Sequence, residues 1–316
     1  LLITIVLIIV VFLIYNNQSI ADNLELIGVF VVSMLKISLS ANKILLAFQN
    51  LKSLKYQAEE ISYELDSISD KKKNYQISYE NIDKKITFSK KIYLNNVSFT
   101  YLGGKKKILE NINIELKKNS VTGFFGPSGG GKTTLINLIL GFLRPTAGKI
   151  YADDFDISND ISSWQNSIAY VPQDIFLFND TIKNNILFGL EEKDIDEEAL
   201  KNVIKQVKLD EFLDRTEDGL NTVVGEKAIR LSGGQAQRIS IARSILRGSE
   251  ILVLDEATSK LDDKNENMIL ENVTKEMSNS KTVIIISHKL NTLKEFCDEV
   301  YELNNNKLIL KYQKNL

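Results

Sequence analysis

Residues 121–140 carry three signals in an order that few folds can accommodate. Val121-Thr122-Gly123-Phe124-Phe125 is an apolar run that reads as a buried strand. Gly126-Pro127-Ser128-Gly129-Gly130-Gly131-Lys132-Thr133 follows it directly, and a helical pattern runs on from Lys132 to Leu140. Strand, glycine-rich loop and helix in that order mark an α/β fold with a phosphate-binding loop. Successive backbone N–H groups can hold a highly charged anion where no Cβ obstructs them, which accounts for Gly126, Gly129, Gly130 and Gly131. The helix N-terminus adds a favourable dipole. In such a loop Lys132 reaches the terminal phosphates of a nucleoside triphosphate, and the Thr133 hydroxyl sits on Mg²⁺. A glycine-rich turn with a chance lysine would not explain the flanking strand and helix.

Two later segments supply further chemistry. Ile251-Leu252-Val253-Leu254 is wholly apolar and short, as expected of a strand buried on both faces of a mostly parallel sheet. Asp255 at its end is placed to hold Mg²⁺, directly or through water. Glu256 is the expected general base for an attacking water. Leu231-Ser232-Gly233-Gly234-Gln235 opens a helix expected from about Gln235 to Leu246. Its first N–H groups and the Ser232 hydroxyl would make a second anion site.

Together these strings resemble the ATP-binding-cassette (ABC) ATPases, over roughly residues 90–316. The resemblance implies ATP and Mg²⁺ as cofactors. It implies that Gly126, Pro127, Ser128, Gly129, Gly130, Gly131, Lys132, Thr133 and Thr134 bind the nucleotide. It also implies that Ser232, Gly233, Gly234 and Gln235 close on ATP held by a second protomer. Gln173, in Tyr170-Val171-Pro172-Gln173-Asp174, matches the glutamine that touches Mg²⁺ and faces the transmembrane part. His288, the only histidine of the chain, matches the switch histidine at the γ-phosphate. Tyr101, in Val97-Ser98-Phe99-Thr100-Tyr101, matches the aromatic that stacks on adenine. Glu256, His288 and Gln173 are thus the implied catalytic residues, and Thr133, Gln173 and Asp255 the implied metal contacts. Ser259-Lys260-Leu261-Asp262 matches the family's D-loop, with Lys260 where a small residue is usual.

The implied fold is an α/β P-loop NTPase: a mostly parallel core sheet, an antiparallel β subdomain and an α-helical subdomain. Alternation of Val97, Phe99, Ile108, Ile112 and Ile114 suits the antiparallel part. Helical periods between Ile182 and Thr222 suit the helical part. The net charge of −2 offers no basic field for nucleic acid. A soluble ABC ATPase of DNA maintenance would need long heptads between the two glycine motifs, where only about a hundred residues lie. A non-hydrolysing regulatory cassette would usually lack Glu256 or His288. Cys297 is the only cysteine, so no internal disulfide is expected.

The first seventy or so residues differ from the rest. Residues 1–15 are almost unbroken Leu, Ile and Val, and as a helix would span roughly 22 Å, short of a bilayer core. The chain begins with Leu, and the expectation is a fragment that starts inside a transmembrane helix. No basic leader or cleavage site suggests a signal peptide. Residues 16–23 are polar and lack Lys and Arg, whereas Lys52, Lys55 and Lys71-Lys72-Lys73 follow the second apolar stretch. The positive-inside rule then puts the Lys-rich end in the cytoplasm. The expected division is transmembrane helices over residues 1–69, a linker over 70–89 and the cassette over 90–316. One helix is expected from about residue 20 to 67, polar on one side around Ser38, Asn42 and Lys43. Those polar residues either line a cavity or lie beyond the bilayer.

This arrangement resembles the C-terminal part of an exporter-type half-transporter in a bacterial inner membrane, its ATPase domain cytoplasmic. The implied partner is a second half-transporter, identical or not. Residues 30–65 look more like flippases for lipid-linked oligosaccharides than like drug exporters, although the Arg and Pro common near Lys36 and Leu39 are absent. The implied function is ATP hydrolysis driving the flipping of a glycan lipid. The alternative is export of another lipid, peptide or drug.

Overall fold

The computed structural model describes residues 8, 11, 12, 15, 24–74, 85–104, 106–190, 196–225, 231–277 and 280–314. The chain divides into two compact units, Leu1–Ser78 and Tyr79–Leu316.

The first unit contains helix α1, Leu24–Asn74. It has no Pro and only Gly28, so nothing in its interior breaks the hydrogen-bond ladder. Within Gly28–Tyr63 an 18-residue window has a mean hydropathy of 1.6 and no buried share, making the helix long and apolar enough to cross a membrane by length and composition. The helix starts within the expected range but continues to Asn74, into the stretch expected as a linker. Helical geometry also splits the expected polar side. Lys36, Ser40 and Lys43, at i, i+4 and i+7, share one stripe, whereas Ser38 and Asn42 share another. The expected first membrane span falls almost wholly outside the described residues. Of residues 1–15, only Ile8, Val11, Phe12 and Tyr15 are described, each helical and exposed.

The second unit is layered around a parallel sheet. In chain order, β1 (Lys91–Phe99) and β2 (Leu109–Lys117) are followed by β3 (Val121–Phe125) and α2 (Lys132–Ile139). Next come β4 (Ala147–Ala152), β5 (Phe155–Asp156), α3 (Ile161–Asn166) and β6 (Ile168–Val171). The helical part holds β7 (Asp180–Thr181), α4 (Ile182–Leu187), α5 (Glu197–Gln206), α6 (Asp210–Leu213) and β8 (Val223–Val224). Then follow α7 (Gly233–Leu246), β9 (Ile251–Asp255), α8 (Asp263–Met277), β10 (Thr282–Ile286), α9 (Leu290–Phe296), β11 (Glu299–Asn304) and β12 (Lys307–Gln313).

The core sheet has the order β12-β11-β3-β10-β9-β6, and only the edge strand β12 runs antiparallel to its neighbour. A second, antiparallel sheet has the order β2-β1-β4-β5. Both are as expected of the cassette fold. The apolar runs of β9 and β10 alternate between two hydrophobic layers. Val283 and Ile285 join Leu252, Leu254 and the helical part, while Ile284 and Ile286 join Val253, Phe124 and the antiparallel sheet. Burial on both faces is why these strands lack a polar period. Ile86 and Phe88, also within the expected linker, are buried in the second layer.

Register then sets the site. Ile286 lies opposite both Phe124 and Asp255, and Val171 lies opposite Leu254. The residues that follow β3, β6, β9 and β10 therefore emerge together at the carboxyl end of the sheet. Open α/β sheets bind ligands at that end. Trp164 on α3, fully buried, donates its indole N–H to Ile139 O at 2.8 Å and anchors the far end of α2. Cys297 is buried, its Sγ lying where a side chain on Gly123 would need to be.

Candidate active site

The loop after β3 is shaped as much by its own protein neighbours as by what it can bind. Gly126 has φ +153°, and a Cβ there would come 2.3 Å from Leu303 O on β11. Glycine is thus demanded at Gly126 by strand packing. Gly129 has φ +74° with nothing within 4 Å of its Cβ position, so it borders open space. Open space at Gly129 suits the anion-cradle argument made from sequence, whereas at Gly126 packing alone already demands glycine.

Lys132 opens α2 and is buried. Its ammonium donates to Gly126 O at 2.8 Å and Pro127 O at 3.1 Å. Among the described residues no carboxylate forms an ion pair with it, and desolvation holds its pKa below the ordinary lysine value against the pull of Glu256 and Asp255. A buried cation satisfied only by carbonyls fits an anionic ligand. Thr133 beside it is exposed. Thr134 is buried, and its hydroxyl lies 3.1 Å from the Tyr101 hydroxyl. Tyr101 is thereby tied to α2 and packs edge-on against Phe99, while 47% of it stays exposed.

Asp255 ends β9 and is buried. Desolvation raises its pKa, opposed by a hydrogen bond from the Tyr170 hydroxyl at 3.1 Å. A buried carboxylate held above its ordinary range is a group whose ionised form a divalent cation would favour. Tyr170 was not assigned a role from sequence. It pairs with Val253, two positions before Asp255, so what brings it to Asp255 is strand register, which the sequence alone does not give.

Glu256 has φ +49°, a conformation that costs a non-glycine residue about 1 kcal/mol or more. Its backbone N–H donates to Ile286 O at 3.0 Å. Its carboxylate is held from both sides. Nε2 of Gln173 donates to Oε2 at 2.6 Å, and Nε2 of His288 lies 2.6 Å from Oε1. Gln173, Glu256 and His288 thus form one cluster, and Lys132 and Asp255 complete it through charge.

The second glycine motif lies apart from this cluster. Ser232 is the N-cap of α7: its Oγ accepts from Gln235 N at 3.2 Å, and Gln235 Oε1 accepts from Ser232 N at 2.7 Å. This capping box starts the helix at Gly233, two residues earlier than expected. It also commits the Gln235 side chain to the cap. Fully buried Gln237, not singled out from sequence, joins α7 to the segment after β9.

Residues 109–259 match the sequence profile of the family described as ABC transporter. The chain is 41% identical over 220 residues to a putative export ATP-binding/permease protein of Rickettsia typhi, covering 69% of this chain and 38% of that protein. It is 37% identical over 219 residues to an ATP-dependent lipid A-core flippase of Vibrio parahaemolyticus, covering 69% and 37%. It is 38% identical over 213 residues to a multidrug resistance ABC transporter ATP-binding and permease protein of Lactococcus lactis, covering 67% and 35%. A solved bacterial Atm1-family ABC exporter with ATP bound superposes with a TM-score of 0.65 at 32% identity, covering 71% of this chain and 39% of that one. The chain spans less than two-fifths of the length of these relatives.

Proposed function

The chain carries the ATP-binding domain of an ABC transporter, and we propose that it hydrolyses ATP as one half of a dimeric exporter whose cassette lies in the cytoplasm. The observation that carries this reading is the register of β3, β6, β9 and β10, which delivers Lys132, Gln173, Asp255, Glu256 and His288 to one end of the sheet.

The chemistry follows from the groups present. The loop N–H groups and Lys132 hold the phosphates, and the half-exposed Tyr101 ring offers a face for adenine. Thr133 and Asp255 would hold Mg²⁺, with Gln173 adjacent. That ion would supply charge neutralisation to the phosphates. Glu256 accepts the proton of a water attacking the γ-phosphorus, and the bond to the β–γ bridging oxygen breaks to leave ADP and inorganic phosphate. His288 and Gln173 hold the Glu256 carboxylate in place. The capped N-terminus of α7 provides a second anion site, facing the γ-phosphate on a second protomer. ATP then bridges two protomers, and its hydrolysis releases them.

Helix α1 supports a membrane location. Its 51 residues extend about 77 Å, against a hydrocarbon core of about 30 Å. Its charged C-terminal half, which includes a Lys55–Glu59 pair, therefore projects into water. The cargo proposed is a glycan lipid. The stripe of Lys36, Ser40 and Lys43 offers cationic and hydrogen-bonding groups to a phosphate-linked sugar, and a relative named as a lipid A-core flippase is consistent with it. The multidrug relative of equal similarity shows why the cassette does not choose between cargoes. Reconstituted full-length transporter should show ATPase activity stimulated by a lipid-linked oligosaccharide, with leaflet exchange lost in Lys36→Ala/Lys43→Ala. Movement of a drug or simple phospholipid but of no glycan lipid would overturn the cargo and leave the exporter. Absence of ATP hydrolysis in the full-length protein would overturn both.

A further inference from the structure

Four residues after the Glu256 turn, Lys260 lies against the start of α7. Its backbone N–H donates to Oε1 of buried Gln237 at 3.1 Å, and the Gln237 amide donates to Ser259 Oγ at 3.4 Å. This fixes the segment to α7. The lysine stem crosses Gly233 so closely that a Cβ there would come 2.7 Å from Lys260 Cδ. Leu261 covers Gly234 in the same way, with Cδ2 at 2.8 Å. A side chain at either glycine would have to displace the Lys260 or Leu261 side chain.

The end of that side chain has no such commitment. Lys260 is exposed and shares a cavity of about 500 Å³ with Ser232, Gly233 and Gly234. Among the described residues no carboxylate forms an ion pair with it. The nearby Asp262 carboxylate is occupied by the backbone and side chain of Asn265. Arg238, another cation of the cavity wall, donates to Lys208 O, and Glu211 and Arg215 line the same cavity.

We propose that Lys260 is a further phosphate contact of this site, adding a point charge to the anion site formed by Ser232 and the N-terminus of α7. The proposal rests on the two-protomer reading above, in which that site meets the γ-phosphate held by the partner's P-loop. A lysine on a packed stem delivers a compact charge with limited loss of freedom. The charge acts where ATP and ADP differ, so it favours closure of the dimer on ATP and leaves ADP binding alone. Because Lys260 is exposed, salt screens the effect.

The test uses full-length protein in a Glu256→Gln background, with ATP-induced closure followed by the distance between labels on the two cassettes. Lys260→Met keeps the stem over Gly233 and removes the charge, and Lys260→Arg keeps the charge. The expected result is a rise of about three- to tenfold in the half-closing ATP concentration for Lys260→Met. Lys260→Arg should stay near the parent, the Lys260→Met deficit should shrink at high salt, and ADP affinity should not change. Equal half-closing concentrations for Lys260→Met and the parent overturn the proposal. So does a deficit shared by Lys260→Arg or insensitive to salt, since that reports packing. Ser232→Arg in the same assay separates the two levels. If it blocks closure while Lys260→Met closes normally, only the lysine contact falls. If it closes normally, the two-protomer reading falls and the lysine contact with it.

Discussion

Nε2 of His288 lies 2.6 Å from Oε1 of Glu256, although 32 positions separate them in the chain. The contact exists because β9 and β10 are parallel neighbours in register, with Asp255 opposite Ile286. Each strand then releases its functional residue at the same level. With Gln173 on the other oxygen, the carboxylate is oriented from both sides.

Glu256→Gln should preserve this packing while removing the proton acceptor. ATP binding is expected to persist and turnover to fall by a factor of about 10² to 10⁴, with ATP trapped in a closed dimer. ATPase rates of the full-length protein measure this. Near-normal hydrolysis would remove Glu256 from the role of base.

Lys132→Ala should fail at binding. Two interactions go at once: the charge offered to phosphate and the bonds to Gly126 O and Pro127 O. A loss of about ten- to a hundredfold in ATP affinity is expected. Equilibrium binding, with a thermal melt to confirm folding, decides it. Unchanged affinity would contradict the loop's central role.

Tyr170→Phe should move the acid limb of the ATPase pH profile to higher pH. Burial already raises the Asp255 pKa, and the Tyr170 hydroxyl bond opposes that rise. Deleting the bond raises it further. The ionised carboxylate that metal binding requires is then lost at a higher pH as the solution is acidified. A profile identical to the parent would mean that Asp255 does not limit activity on the acid side.

Ser232→Arg should block hydrolysis in a homodimer while leaving ATP binding to each P-loop. Mixed with Lys132→Ala, it should give a heterodimer in which one composite site carries both lesions and the other neither. Activity at the intact site is the expected outcome. Full activity of the Ser232→Arg homodimer would exclude a shared site.

Local chemistry made part of this protein legible from its sequence. Apolar runs located β3, β9 and β10, and the loop after β3 declared itself by strand, glycines, lysine and helix in succession. These are signals that neighbouring residues carry among themselves, through backbone freedom, side-chain period and helix capping. Other features arise only when distant segments meet. The Gly126 requirement comes from Leu303 O, 177 positions away, and no property of the loop announces it. The Tyr170 bond to Asp255 depends on the pairing of β6 with β9. Lys260 reads in sequence as an odd residue in a familiar turn. Only packing against Gly233 places it in the wall of the cavity beside Ser232. Sequence determined which groups are available, because their chemistry is local. The tertiary structure decided which of them share a site, because strand register and close approach are set by contacts between segments far apart in the chain.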